Sequence, residues 1–342
     1  MSQPILHHYP TSPFAEKIRR ILGYKKLAWQ SVIIPRIMPK PDLTALTGGY
    51  RRTPVMQIGA DIYCDTALIA DVLDKIAPVP SLYPSPVNGA SRIVAQWADS
   101  QVFSAAMAYN FQPAGIADVF AGVPEEGIQA FVADRAAMRG GAPRMAVGEG
   151  TSTYKSQLRR LSDMLTEHAY LMGDVPSIAD FSAYHPMWFT LERAPSLSGI
   201  LDATPLLKDW MTRMKAIGHG SSEKMTAEQA LEVAHQATPI DVASLPFVNE
   251  HGIDLGSEVT ITADNFGLEP TPGILVAATK TRLTLRREDN RTGTVHVHFP
   301  RNGFILKKVK SCFAILKIKQ LSSQGVVLAL VWNVRALRPD SK

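Results

Sequence analysis

Cysteine is almost missing from these 342 residues. Only Cys64 and Cys312 occur, and no CxxC pair is present. A disulfide framework is therefore excluded, and two reduced thiols lying far apart in the chain are expected. Long apolar runs are missing as well. The most hydrophobic late stretches, CFAILKI and VVLALVW, fall well short of the roughly 20 residues that a helix needs to cross a bilayer. The opening MSQPILHHYP lacks the basic start and extended apolar core of a signal peptide, so a cytoplasmic location is expected.

What is present describes a globular protein. Hydrophobic residues make up 46% and mean hydropathy is −0.01, in a chain long enough for two or three domains. The net charge of +5 is unevenly spread. Lys280–Lys342 carries 14 Lys/Arg against 3 Asp/Glu, whereas the rest of the chain holds 22 against 28. The basicity thus belongs to the tail. Basic tails can bind nucleic acid or anionic lipid, but this one shows no aromatic interleaving and no recognition motif, which argues against both.

Hydrophobic periodicity divides the chain into three parts. Residues 1–78 read as βαβ, a loop, then ββα. The strands are predicted at Pro4–His8, Ala28–Ile34, Val55–Ile58 and Asp61–Cys64. The first helix, Pro13 to Leu22, sets Phe14, Ile18, Ile21 and Leu22 on one face and Glu16, Lys17, Arg19 and Arg20 on the other. APVPSLYPSP, residues 77–86, is a linker by composition. Residues 87–220 read as all helical, with starts near Val87, Pro124, Thr151, Ser177 and Pro205. Ser177 and Asp180 form a helix-start signal of structural meaning. Residues 240–342 are expected to form a β-rich accessory domain, since EVTITA, ILVAAT, RLTLRRE and TVHVHF alternate apolar with polar.

The chemistry-bearing groups lie in HHYPTSPFAEKIRRIL and in YRRTPVMQIGADIYCDT. Ser12 precedes Pro13 at a helix start, where exposed amides and the helix dipole favour negative charge. Read alone it is an N-cap, and Thr53–Pro54 is a turn. His7 and His8 lie on a strand, where opposite faces make at least one of them structural. His296 and His298 share one strand face, a spacing that could bind metal but reads more simply as a solvated surface. Cys64 is expected to be buried and inert.

In order and spacing, SPFAEKIR, TPV before a strand and DT opening a helix resemble the glutathione S-transferase family, and GDVPSIADF extends the likeness to about residue 217. SPFA is similar to the CPFA start of omega-class members and to the glutaredoxin CPYC site, with serine for the first cysteine. The resemblance implies an α/β thioredoxin-like domain followed by an all-α helical bundle domain, with the small β-rich C-terminal domain in addition. It implies glutathione as co-substrate, activated by Ser12 or, as the rival, by Tyr9. Thr53 and Pro54 take the cis-proline position that presents main-chain atoms to the cysteinyl unit. Asp65 and Thr66 stand for the usual Glu-Ser pair at the γ-glutamyl end. Arg52, or Arg51 in its place, serves the glycyl carboxylate.

A thiol is nucleophilic as its thiolate, and each unit of pKa depression corresponds to about 1.4 kcal/mol. Serine at position 12 cannot form a mixed disulfide. This favours conjugation, isomerisation or reduction of a small-molecule electrophile over disulfide exchange. The resemblance further implies a homodimer with a detoxification role, expected in the cytoplasm. The tyrosines and methionines near residues 107–120 could line an acceptor pocket or equally be core, the commoner fate of such residues. The alternative is a non-catalytic binding or scaffold protein on the same fold.

Overall fold

The structure is a computed structural model that describes residues 3–309. β1 (Ile5–His8) runs parallel to β2 (Ala28–Ile33) and antiparallel to β3 (Val55–Ile58), which pairs with β4 (Asp61–Cys64). α1 (Pro13–Tyr24) joins the two parallel strands and α3 (Thr66–Ile76) comes after β4, giving the expected thioredoxin-like order. The Pro-rich stretch read as loop contains a short helix, α2 (Pro41–Thr47). Proline at its first turn removes only an amide that would be unbonded there anyway.

The charged face of α1 is not a solvent face. Ile18, Ile21 and Leu22 are buried as expected, but so are Glu16, Lys17, Arg19 and Arg20. Glu16 accepts from Arg19 (2.7 Å), Arg20 (2.7 Å) and His219 (3.0 Å), and Lys17 donates to Asp99 (2.6 Å). The helix lies between the sheet and the helical half, so its charges persist by pairing. His7 and His8 are both buried too, bonded to Gln57 and Ser31 respectively, each at 2.9 Å.

The helical half comprises α4 (Asn88–Trp97), a π-helical turn at Ala98–Val102, α5 (Phe103–Asn110), α6 (Pro113–Val119), α7 (Glu125–Arg139), α8 (Val147–Asp163), α9 (Ile178–Arg193) and α10 (Pro205–Ala216). α8 starts at Val147 rather than near Thr151, and α5 and α6 were not expected, although Pro113 stands at the first turn of α6. α9 runs through the core, with Phe181, Tyr184 and Met187 buried. Asp180 accepts from the Ser177 amide (2.9 Å), the Leu171 amide (2.8 Å) and Trp210 Nε1 (2.9 Å), so the helix-start pair is also a buried junction.

The rest of the described chain extends the sheet at both edges. β5 (Ser221–Lys224) adds to β2 in parallel, and α11 (Ala227–Gln236) then leads toward β6 (Glu258–Ala263), β7 (Thr271–Ala278), β8 (Arg282–Asp289), β9 (Gly293–Pro300) and β10 (Phe304–Lys308). One ten-stranded sheet results, in the order β10-β6-β7-β8-β9-β4-β3-β1-β2-β5. The strands expected within an accessory domain therefore continue the thioredoxin-like sheet. β9 lies parallel to β4, and the His296 amide donates to Ala60 O at 3.0 Å. Pairing satisfies an edge that would otherwise present unbonded backbone groups. Ile5, Val55 and Ile62 share a core with Leu285, Val297 and Phe299.

This pairing also overturns the reading of His296 and His298 as a solvated face. Both are buried, and His298 bonds Asp61 (2.8 Å) and Thr284 (3.0 Å) and stacks on Tyr63. No helix among the described residues is long and apolar enough to cross a membrane. Cys312, CFAILKI and VVLALVW lie outside the described residues.

Candidate functional site

Two helix starts and one proline define the site. At the first, Ser12 caps α1: its Oγ accepts from the Ala15 amide at 3.2 Å, and its own amide donates to Tyr9 O at 3.1 Å. Ser12 is only 2% exposed. Its hydroxyl proton has no acceptor among the described residues and remains available for donation.

At the second, Asp65 caps α3 and accepts from the Ala67 amide at 2.9 Å. Its φ of 77° lies in the region that side chains avoid. Backbone strain of this kind costs on the order of 1–3 kcal/mol and concentrates at functional sites. Burial raises the Asp65 carboxyl above its usual range, against the opposing pull of the Ala67 amide, Arg52 and Lys17. Beside it, Thr66 Oγ1 accepts from Lys17 Nζ at 3.2 Å. Lys17 is held in turn by Asp99, which pairs with His185 at 3.0 Å. Burial alone would raise the Asp99 carboxyl, but Lys17 and His185 hold it below its ordinary range.

The Thr53–Pro54 peptide is cis. Thr53 Oγ1 accepts from Lys40 Nζ at 3.3 Å, and that ammonium lies 6.0 Å from the centroid of the Tyr9 ring. Lys40 is buried, and burial with Arg135 nearby lowers its pKa to about 8. Sequence reasoning missed this residue. Its only signal was a lysine before Pro41 in a stretch read as loop, and the contact depends on α2 folding back toward Thr53.

The two arginines expected to serve a carboxylate already hold partners. Arg52 donates to Phe266 O (2.7 Å) and Asn265 Oδ1 (2.9 Å), and lies 3.6 Å from Asp65 Oδ2. Arg51 pairs with Asp134 at 2.6 Å and with Glu269. These partners come from α7 and from the segment between β6 and β7. That segment is anchored by the Gly267 amide on Met138 O at 2.7 Å. Gly267 has φ of 67°, and an added Cβ would lie 3.2 Å from Met138 Cε, so glycine permits the approach.

Tyr9 is half-buried, and its hydroxyl accepts from Arg135 at 3.3 Å. Lys40 links Thr53 to Tyr9, the Ser12 amide is bonded to Tyr9 O, and Asp65 and Thr66 adjoin at the start of α3. The Arg52 guanidinium lies beside Asp65, while Arg51 turns toward Asp134 and Glu269. Of the tyrosines and methionines near 107–120, Met107 joins an apolar cluster with Phe111, Phe120, Phe131, Trp188 and Phe189. Tyr109 instead donates to Leu197 O at 2.9 Å. Cys64 is fully buried, and burial pushes its thiol well above the ordinary range, as befits an inert core residue.

A thioredoxin-like half joined to an all-helical half, with a cis-proline between two capped helix starts, defines a glutathione S-transferase fold. Comparison with known proteins agrees. The family model described as "Glutathione S-transferase, N-terminal domain" matches residues 6–81, and "Glutathione S-transferase, C-terminal domain" matches residues 145–217. A solved "GST-like protein" from Pseudomonas syringae is 42% identical, with a TM-score of 0.76, over 90% of this chain and 100% of that one. The chain belongs to the glutathione S-transferase family. A glutathione S-transferase from Rhodospirillum rubrum F11 is similar at 20% identity, over 63% of this chain and 88% of that one, with a TM-score of 0.46. No curated protein matches the chain.

Proposed function

We propose that this protein is a glutathione transferase that conjugates glutathione to, or uses it to isomerise or reduce, a small electrophile. The observation that carries the reading is Asp65, a carboxylate held at φ of 77° at the start of α3. A strained, half-buried acid beside helix-start amides suits a zwitterionic γ-glutamyl group. Asp65 takes the ammonium, while Thr66 and the α3 amides take the carboxylate. Thr53, next to the cis peptide, faces the cysteinyl unit, and Lys40, beside Thr53, serves the glycyl carboxylate in place of Arg51, which is held by Asp134 and Glu269. Glutathione bound there supplies a thiolate nucleophile. Ser12 donates its free hydroxyl proton to the sulfur, and the dipole of α1 favours the same charge.

The test is retention on immobilised glutathione followed by a conjugation assay on wild type, Ser12→Ala and Tyr9→Phe. The expected result is retention of all three and a rate loss on the order of a hundredfold for Ser12→Ala, from a sulfur pKa about two units higher. A loss confined to Tyr9→Phe would transfer the role to the tyrosine. The reading extends to a cytoplasmic homodimer acting in detoxification, checked by sedimentation and by fractionation of cells.

A second reading, a non-catalytic binding protein, is favoured by one observation. Arg51 and Arg52 are tied to the chain's own groups, and Ser12 is nearly covered. Retention on glutathione with no turnover across a broad electrophile panel would select it.

A further inference from the structure

Next to Tyr9 the chain gathers cations that the proposed chemistry does not use. Arg135 sends one guanidinium nitrogen to the Tyr9 hydroxyl (3.3 Å) and to Arg36 O (3.0 Å). Arg36 and Arg135 both lie over the ring of Phe131, at 5.2 and 4.4 Å, and Arg36 also lies 6.0 Å from the centroid of Phe120. Arg193, the last residue of α9, is the third member and lies close enough for its charge to act on Arg36.

The charges here are unbalanced. Arg135 is paired with Asp134, which is shared with Arg51. Arg36 and Arg193 have no carboxylate partner among the described residues, and Nε of each is buried without a hydrogen bond. Both side chains are only half-buried, so water reaches part of each guanidinium, but a buried Nε without a hydrogen bond is costly and mutual repulsion adds to the cost. Burial, then Arg135 and Arg193, hold Arg36 below its ordinary pKa, against the pull of Tyr9. Such a cluster is stable with an anion between its members. Planar forked donors match a carboxylate in two-point geometry. The neighbouring rings offer a part-exposed apolar face: Phe131 and Phe111 are half-buried, packed on the buried Phe120 (5.3 Å) and Phe189 (6.0 Å) respectively.

We propose that Arg36, Arg135 and Arg193 anchor the carboxylate of an aromatic acceptor, whose ring lies against the part-exposed Phe111 and Phe131 with its reactive carbon toward Ser12. This deepens the transferase reading and rests on it for the reaction, though not for the anion site. The same charge could come from the glycyl carboxylate of glutathione. However, Lys40 lies over the ring face of Tyr9 beside Thr53, whereas Arg135 meets the tyrosine at its hydroxyl.

The probe is 4-(chloromethyl)benzoate against its methyl ester, with glutathione as the thiol. In each case a sulfur–carbon bond forms at the benzylic carbon, the carbon–chlorine bond breaks, chloride leaves with the electron pair and the thiol proton passes to solvent. The wild-type protein is expected to use the acid about tenfold better than the ester in kcat/KM. Arg36→Gln and Arg193→Gln should each lower that ratio about fivefold, with part of it restored in Arg36→Lys.

An acid-to-ester ratio near one in the wild type overturns the proposal. So do variants that slow acid and ester alike, or that weaken glutathione while sparing its glycyl ethyl ester. If neither electrophile turns over and glutathione does not bind, the transferase reading fails by itself. Calorimetry with 4-methylbenzoate and 4-methylbenzamide then decides the anion site. Binding of the acid alone, lost in Arg36→Gln, sustains it, and no binding of the acid to wild type sinks it.

Discussion

Asp65 is the residue where stability and function pull apart. Its backbone sits where glycine is at ease, and its carboxylate is the group assigned to the γ-glutamyl ammonium. Asp65→Gly should therefore leave the midpoint of thermal unfolding unchanged or raised, since relief of strain offsets loss of the Ala67 cap. It should also weaken glutathione by at least about tenfold. Calorimetry of unfolding and of binding on the same variant tests both halves, and an equal loss in each would mark Asp65 as structural only. Lys40 makes a prediction about pH. Its pKa in the free protein is about 8, so its charge is present below that pH and is lost as pH rises through it. The value of kcat/KM for glutathione reports free-enzyme groups. It should fall above pH about 8, and Lys40→Met should remove that limb. A limb unchanged in the variant would end the assignment of Lys40 to the glycyl carboxylate.

At the level of elements, the π-helical turn at Ala98–Val102 has a definite task. It carries Asp99, which reaches both Lys17 on α1 and His185 on α9. One extra residue in a helical turn re-aims the side chains after it, and such turns recur near functional sites. Lys17 is 1% exposed, so Asp99→Ala would strand a buried ammonium next to Thr66. A loss of about 3–5 kcal/mol is expected by denaturant titration, whereas Asp99→Asn should retain part of the stability. The elements legible from sequence were those with a strong period, cap or start signal: β1 to β4, β6 to β9, α1, α3, α4, α7 and α9 to α11, with α8 legible but starting four residues early. α2, α5, α6 and the exposed polar strand β5 were not legible. Their residues show neither period clearly, and their conformation is decided by what they pack against.

Across the whole molecule, buried histidines set the acid limit. Burial depresses His7 to about 4, against the raising effect of Gln57. Burial likewise depresses His298 to about 4, with Asp61 opposing. These histidines stay neutral in the fold but take up protons when unfolded below about pH 6.5, so the unfolded chain binds more protons in that window. Their contribution is complete above pH 6.5 and is lost as pH falls toward 4, by up to about 3 kcal/mol each. Stability measured by urea titration should fall steadily from pH 6.5 to 4, and less steeply in His298→Gln. A flat profile over that range would show that these side chains are protonated within the fold. His298 also ties β9 to β4 through Asp61, so the loss would loosen the middle of the sheet.

The sequence alone determined the local outcomes: where α1 and α3 begin, which strands alternate, and that Ser12-Pro13, Thr53-Pro54 and Asp65-Thr66 stand in transferase order. Caps, prolines and short periods act within a few residues, so they can be read along the chain. Tertiary structure alone decided the rest. It placed β9 against β4 and so buried His296 and His298. It occupied Arg51 and Arg52 with groups more than 80 residues away, brought Lys40 to Thr53, and set Arg36 among cations from α7 and α9. Strand pairing and ion pairing over such separations depend on which surfaces meet, and no local pattern specifies that meeting.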